Sequence, residues 1–106
     1  MRKLPKRFTA FLRDYPDVGA AYGSLGEATM GAGPLDEKTS QLVKLGIAIG
    51  LRHEGAVHAH CRKAIDLGCT RAEVRHAAVL ATTTMGFPSM MAALSWVDDV
   101  VDDDSD

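Results

Sequence analysis

Apolar positions along the chain recur at helical rather than strand spacing. Leu42, Leu45 and Ile49 fall at i, i+3 and i+7, the stripe that one face of an α-helix presents. Phe87, Met90, Met91, Leu94, Val97 and Val101 repeat the pattern near the end of the chain, with the methionines read as core fillers. Pro5 opens a short first helix with Phe8, Phe11 and Leu12 on one face. Tyr15-Pro16 ends it, because the residue before a proline avoids the α region. Asp17 is placed to cap a second helix running to about Met30, and Gly31-Ala32-Gly33-Pro34 reads as a linker. Asp36 caps a third helix. No proline follows until after Leu67, and one helix of that length would far exceed the usual run of roughly 10–14 residues. A break is therefore expected near Gly50–Glu54. The fourth helix ends at about Leu67, where Gly68 suits a left-handed C′ position. Thr70-Arg71-Ala72-Glu73 has the form of a capping box and opens a fifth helix with Val74, Ala78 and Ala81 in register. Gly86-Phe87-Pro88 separates this helix from the last. Val79 and Thr82–Thr84 hint at a strand, but the run is short and does not alternate. The expected fold is all-α: a single domain over residues 1–106, about six helices, ending in an acidic tail at 102–106.

Composition fits this picture. The 106 residues are 46% apolar and 25% charged, ordinary for a globular domain and unlike a disordered or collagen-like chain. A domain this small buries roughly two-thirds of its unfolded surface, so its apolar stripes are expected to finish their burial between subunits of a homo-oligomer. The net charge of −2 argues against a nucleic-acid partner. Charge is nevertheless uneven: residues 1–13 hold five basic residues and no acid, and residues 98–106 hold six aspartates and no base. Two solvated ends is one reading; pairing of the ends, within or between subunits, is the other. Basic residues interrupt the N-terminus before any signal-peptide core could form, and no apolar run approaches the ~20 residues that span a membrane. A cytoplasmic protein without a membrane partner is expected. Its two cysteines, Cys61 and Cys69, are then reduced rather than a disulfide framework.

Candidate chemistry concentrates in one segment, His53-Glu54-Gly55-Ala56-Val57-His58-Ala59-His60-Cys61. On a helix His53, Ala56, Val57 and His60 share one face, and Glu54, His58 and Cys61 another. The break before this segment puts His53 and Glu54 at a helix N-terminus, where partial positive charge favours anions, with Arg52 beside them. Glu54, His58 and Cys61 are metal-ligand types at a spacing that is neither HExxH nor CxxC; the competing reading is a surface ion pair next to a half-buried cysteine. Cys61 has His58 three residues away but no third group in sequence to orient it as a nucleophile, so it reads as a structural thiol.

Three segments also resemble a known family. Pro34-Leu35-Asp36-Glu37-Lys38-Thr39 leading into Gln41-Leu42-Val43, His60-Cys61-Arg62-Lys63-Ala64 through Gly68-Cys69-Thr70-Arg71-Ala72-Glu73-Val74, and Met85-Gly86-Phe87-Pro88-Ser89-Met90-Met91-Ala92-Ala93-Leu94 resemble, in register over about residues 34–101, the carboxymuconolactone decarboxylase family, which includes the alkylhydroperoxidase D proteins. The resemblance implies an all-α, alkylhydroperoxidase D-like fold assembled into trimers or hexamers. In the peroxidase branch a glutamate precedes a C-x-x-C pair, and a histidine follows the second cysteine by four residues. Here those positions are Gln41, His53, Ala56 and His60, so only the histidine is kept. A dithiol peroxidase needs one thiolate to attack and another to resolve the sulfenic acid, and His53 and Ala56 can do neither.

The resemblance therefore points to the decarboxylase branch. It implies a cofactor-independent lyase or isomerase acting on a small organic anion, with His60 as acid/base, His53 and Gln41 completing the catalytic set, and Arg52 and His76 binding substrate; no metal and no cofactor are called for. Gln41 cannot titrate, so a glutamate-dependent proton relay is lost, and His76 stands where the family often has another glutamate. Two alternatives stay open: an alkylhydroperoxidase-like member inactive as a thiol peroxidase, and a metal- or ligand-binding module built on His53, His60 and His76.

Overall fold

The computed structural model describes residues 5–103. Every regular element among them is helical: α1 (Lys6–Asp14), α2 (Pro16–Met30), α3 (Glu37–Gly50), α4 (Glu54–Asp66), α5 (Arg71–Val79), α6 (Thr82–Met85) and α7 (Phe87–Val101). Six are substantial helices; α6 is a single turn, and it occupies the threonine run that hinted at a strand. No helix among the described residues is long and apolar enough to cross a membrane.

The chain divides into two compact units, residues 1–35 and 36–106. In the first, α1 packs on α2. Leu12 approaches Gly19 so closely that a Cβ there would lie 2.7 Å from the leucine Cδ2. Phe11 and Tyr15 pack with tilted rings, their centroids 5.4 Å apart. Asp17 does not cap α2. The helix starts two residues earlier than that cap implies, with Pro16 in its first turn and Tyr15 in the cap position without a side-chain bond, because proline's fixed φ suits the first helical position.

In the second unit α4 lies between α3 and α7, and α5 packs on both α3 and α7. Leu45 and Ile49 of α3, Val57, Cys61 and Ala64 of α4, Val74 and Ala78 of α5, and Ala93, Val97 and Val100 of α7 form the core. The buried side of α7 runs through Met90, Ala93, Val97 and Val100, while Phe87 and Met91, placed by periodicity on the apolar stripe, are exposed. Asp36 caps α3 by accepting the Thr39 N–H at 2.8 Å. The capping box at α5 is complete, with both Thr70 and Glu73 bonding reciprocally.

The turns on either side of α4 have the same geometry. After α4, Cys69 N–H donates to Ala64 O and Gly68 N–H to Ile65 O, each at 2.9 Å, with Gly68 at φ 99. After α3, His53 N–H donates to Ala48 O at 3.3 Å and Arg52 N–H to Ile49 O at 3.0 Å. Both are Schellman motifs. The second places Arg52, at φ 56, in the left-handed position where glycine is usual. The chain breaks within the expected Gly50–Glu54 span, at an arginine in the left-handed conformation rather than at Gly50.

Candidate functional site

The α3–α4 pairing brings Gln41 against His60, with Gln41 Oε1 and His60 Nδ1 3.2 Å apart. Gln41 is a buried polar side chain, 5% exposed. An amide oxygen only accepts, so His60 donates from Nδ1, and its neutral ring keeps a lone pair on Nε2. Burial, and then the charges of Lys44 and Lys63, push the His60 pKa from 6.5 down to about 4, so the ring is neutral at pH 7. Lys44 lies one turn beyond Gln41 on α3, and Lys63 one turn beyond His60 on α4. The Lys63 pKa is itself lowered, first by burial, then by Lys44 and Arg62. Among the described residues none of these three cations forms an ion pair with a carboxylate. Sequence reasoning missed both lysines; their three-residue spacing from Gln41 and His60 was the available signal.

The other expected site residues lie apart from this pair. His53 is the N-cap of α4, its Nδ1 accepting the Ala56 N–H at 3.0 Å; positions 53 and 56, which carry the cysteine pair in the peroxidase branch, are thus joined by a cap. Arg52 is the exposed left-handed residue of the turn. His76 lines a cavity of ≈ 440 Å³ walled by α3, α5 and α6, together with Thr39, Leu42, Glu73, Thr84 and Met85; neither Gln41 nor His60 lines it. His53, His60 and His76 do not converge as a ligand set among the described residues. Nor do Glu54, His58 and Cys61, because Cys61 is fully buried in the core. Asp99 of α7 takes its place: His58 Nε2 is 3.0 Å from Asp99 Oδ2 and 3.9 Å from Glu54 Oε2. The acidic end of α7 is engaged within its own unit, Asp98 with Arg75 at 2.8 Å and Asp102 with Arg71 at 3.1 Å. On the basic side, Arg13 pairs with Asp14, and Arg2 and Lys3 lie outside the described residues.

A model of the carboxymuconolactone decarboxylase family matches residues 16–99. The chain belongs to the carboxymuconolactone decarboxylase family. The fold agrees: a carboxymuconolactone decarboxylase family protein of Legionella pneumophila, crystallised in its apo form, superposes with a TM-score of 0.72 at 26% identity, covering 90% of this chain and 88% of that one. An uncharacterised protein of Haemophilus influenzae is 39% identical over 59 residues, 56% of this chain. The match spans about half, 52%, of that relative's length.

In this carboxymuconolactone decarboxylase family chain the thiols are poor nucleophiles. Cys61 Sγ lies 4.0 Å from Val97 O in the core. The Cys69 thiol is pushed to higher pKa, mainly by burial and then by Glu73, which keeps the nucleophilic thiolate scarce. His60, neutral at pH 7, has an available lone pair on Nε2. A neutral imidazole held by one nitrogen can exchange a proton through the other, and the neighbouring lysines can hold the negative charge that develops when a carbon acid is deprotonated.

Proposed function

We propose that the protein catalyses proton transfer, in decarboxylation or isomerisation of a small organic anion, with His60 as acid/base. The observation that carries this reading is the Gln41–His60 hydrogen bond, which fixes the ring and its tautomer and leaves Nε2 to exchange the proton. In isomerisation Nε2 takes a proton from the carbon beside a substrate carbonyl and returns it to another carbon. In decarboxylation the carbanion left by departing CO2 must be protonated, so His60 has to be loaded first. A bound carboxylate favours that loading, because an adjacent negative charge raises the pKa of an imidazole. Lys44 and Lys63 are the anion-holding groups of this reading; His53, Arg52 and His76 complete the pocket only in an assembly that brings them to it. The exposed apolar side chains Val43, Ile47, Leu51 and Leu80 support a homo-oligomer, and two buried thiols suit a reducing cytoplasm.

The test is turnover of lactone carboxylates of the carboxymuconolactone type, alongside calorimetric binding of the same anions. His60→Asn is expected to lower turnover by about 10²–10⁴-fold with the melting temperature within a few degrees of wild type. Lys44→Met is expected to weaken anion binding about two- to fivefold, the value of one partly exposed ion pair. Unchanged turnover in His60→Asn contradicts the reading. So does a variant that loses its fold along with its activity, since His60 would then be a structural residue.

A further inference from the structure

The second histidine of α4 lies in a different environment. Glu54 and His58 are one turn apart on α4, and Asp99 reaches them from α7. One ligand atom from each, His58 Nε2 and a carboxylate oxygen of Glu54 and of Asp99, lies within 4.8 Å of the others. Metal–ligand bonds of about 2.0–2.2 Å put neighbouring ligand atoms about 3–3.5 Å apart around one ion. The observed His58 separations of 3.0 and 3.9 Å bracket that range, and Glu54 and Asp99 are exposed and free to turn toward one ion.

Charge argues the same way. Two carboxylates share one imidazole, and the neighbouring arginines are committed elsewhere, Arg75 to Asp98 and Arg71 to Asp102. Among the described residues no lysine or arginine pairs with Glu54 or Asp99. As a donor, His58 can satisfy one carboxylate through Nε2 at a time; a divalent cation satisfies all three groups at once. The set also sits on firm supports, because the α4–α7 seam behind it is built from the fully buried Val57, Cys61 and Val97.

We propose that Glu54, His58 and Asp99 form a site for a divalent first-row transition cation of the zinc type, bound through one imidazole nitrogen and two carboxylates with water in the remaining positions. The imidazole sets the preference: nitrogen–oxygen donor sets suit zinc and its neighbours, whereas magnesium and calcium take all-oxygen shells. The site is separate from His60, since His58 faces α7 and His60 faces α3, so it stands whether or not the reading of His60 does.

The test is calorimetric titration of the full chain with Zn2+, repeated with Mg2+, in wild type, His58→Ala, Asp99→Asn and His60→Asn. One equivalent of Zn2+ per chain is expected. Affinity should fall about tenfold or more in His58→Ala and in the near-isosteric Asp99→Asn, a floor set by the 10–100-fold lost even when only a group hydrogen-bonded to a metal ligand is changed. His60→Asn should bind as wild type does, and millimolar Mg2+ should not compete. Thermal melts of the metal-free variants confirm that they fold. Absence of saturable Zn2+ uptake overturns the proposal. So does uptake that survives both His58→Ala and Asp99→Asn, or Mg2+ competing on equal terms, which would mark a mere acidic patch.

Discussion

His58 and His60 lie two residues apart on one helix and meet opposite surroundings. His60 faces α3, hydrogen-bonded to a neutral amide and flanked by Lys44 and Lys63. His58 faces α7, against the carboxylates of Asp99 and Glu54. The buried stripe Val57, Cys61 and Ala64 runs between them. A histidine's chemistry here is set by what the neighbouring helix presents. A half-buried ring beside cations is held neutral and offers a base; a ring between carboxylates is placed to bridge charge.

The strongest way to break this contrast is to loosen one side of it. Leu45 is fully buried on α3, one turn beyond Gln41. Leu45→Ala is expected to cost about 2–5 kcal/mol in denaturant unfolding. By admitting water to the α3–α4 seam it should move the His60 pKa back toward 6.5. Next in size, Gln41→Glu places a carboxylate beside the ring and should raise the His60 pKa by about 1–3 units, read from the pH–rate profile; an unmoved profile would mean the two groups do not interact in solution.

A smaller effect concerns stability in acid. The folded pKa of His60, about 4, lies below the unfolded 6.5, so the unfolded chain binds the proton more tightly. This contribution to stability is complete above about pH 6.5 and is lost as pH falls toward 4. Melts across that range should show a decline that is shallower in His60→Asn. Smallest of all, Arg52→Gly relieves the left-handed residue between α3 and α4 and should stabilise the fold by about 1 kcal/mol or less, measured by chemical denaturation; a loss of stability would mean the Arg52 side chain makes a contact worth more than the strain.

The fold was largely legible in the sequence because its punctuation is local. Asp36, the Thr70–Glu73 capping box, Gly68 and the Gly86-Phe87-Pro88 break each act within a few residues. The misplaced features were those where a rule admits a substitute. Pro16 started α2 in place of an Asp17 cap, and Arg52 took a conformation that the sequence rule reserves for glycine. The site was legible only in part. Gln41 and His60 were singled out by family register, but their contact spans nineteen positions. The lysines around them and the partnership of Asp99 with His58 depend on which helices pack together. Periodicity gives the face of one helix and says nothing about its neighbour. Cys61, which spacing groups with Glu54 and His58, is the structural thiol that its lack of an orienting group predicts, fully buried in the core.

Proton transfer at His60 requires a neutral ring held by Gln41 in the cation-flanked seam. The direct measurement is a histidine nitrogen NMR titration of the full chain, with His60 assigned by its absence in His60→Asn. A proton on Nδ1, a bare Nε2 and titration at about 4 are expected. A His60 that carries its proton on Nε2 at neutral pH, or that titrates near its ordinary value of 6.5, would contradict that expectation.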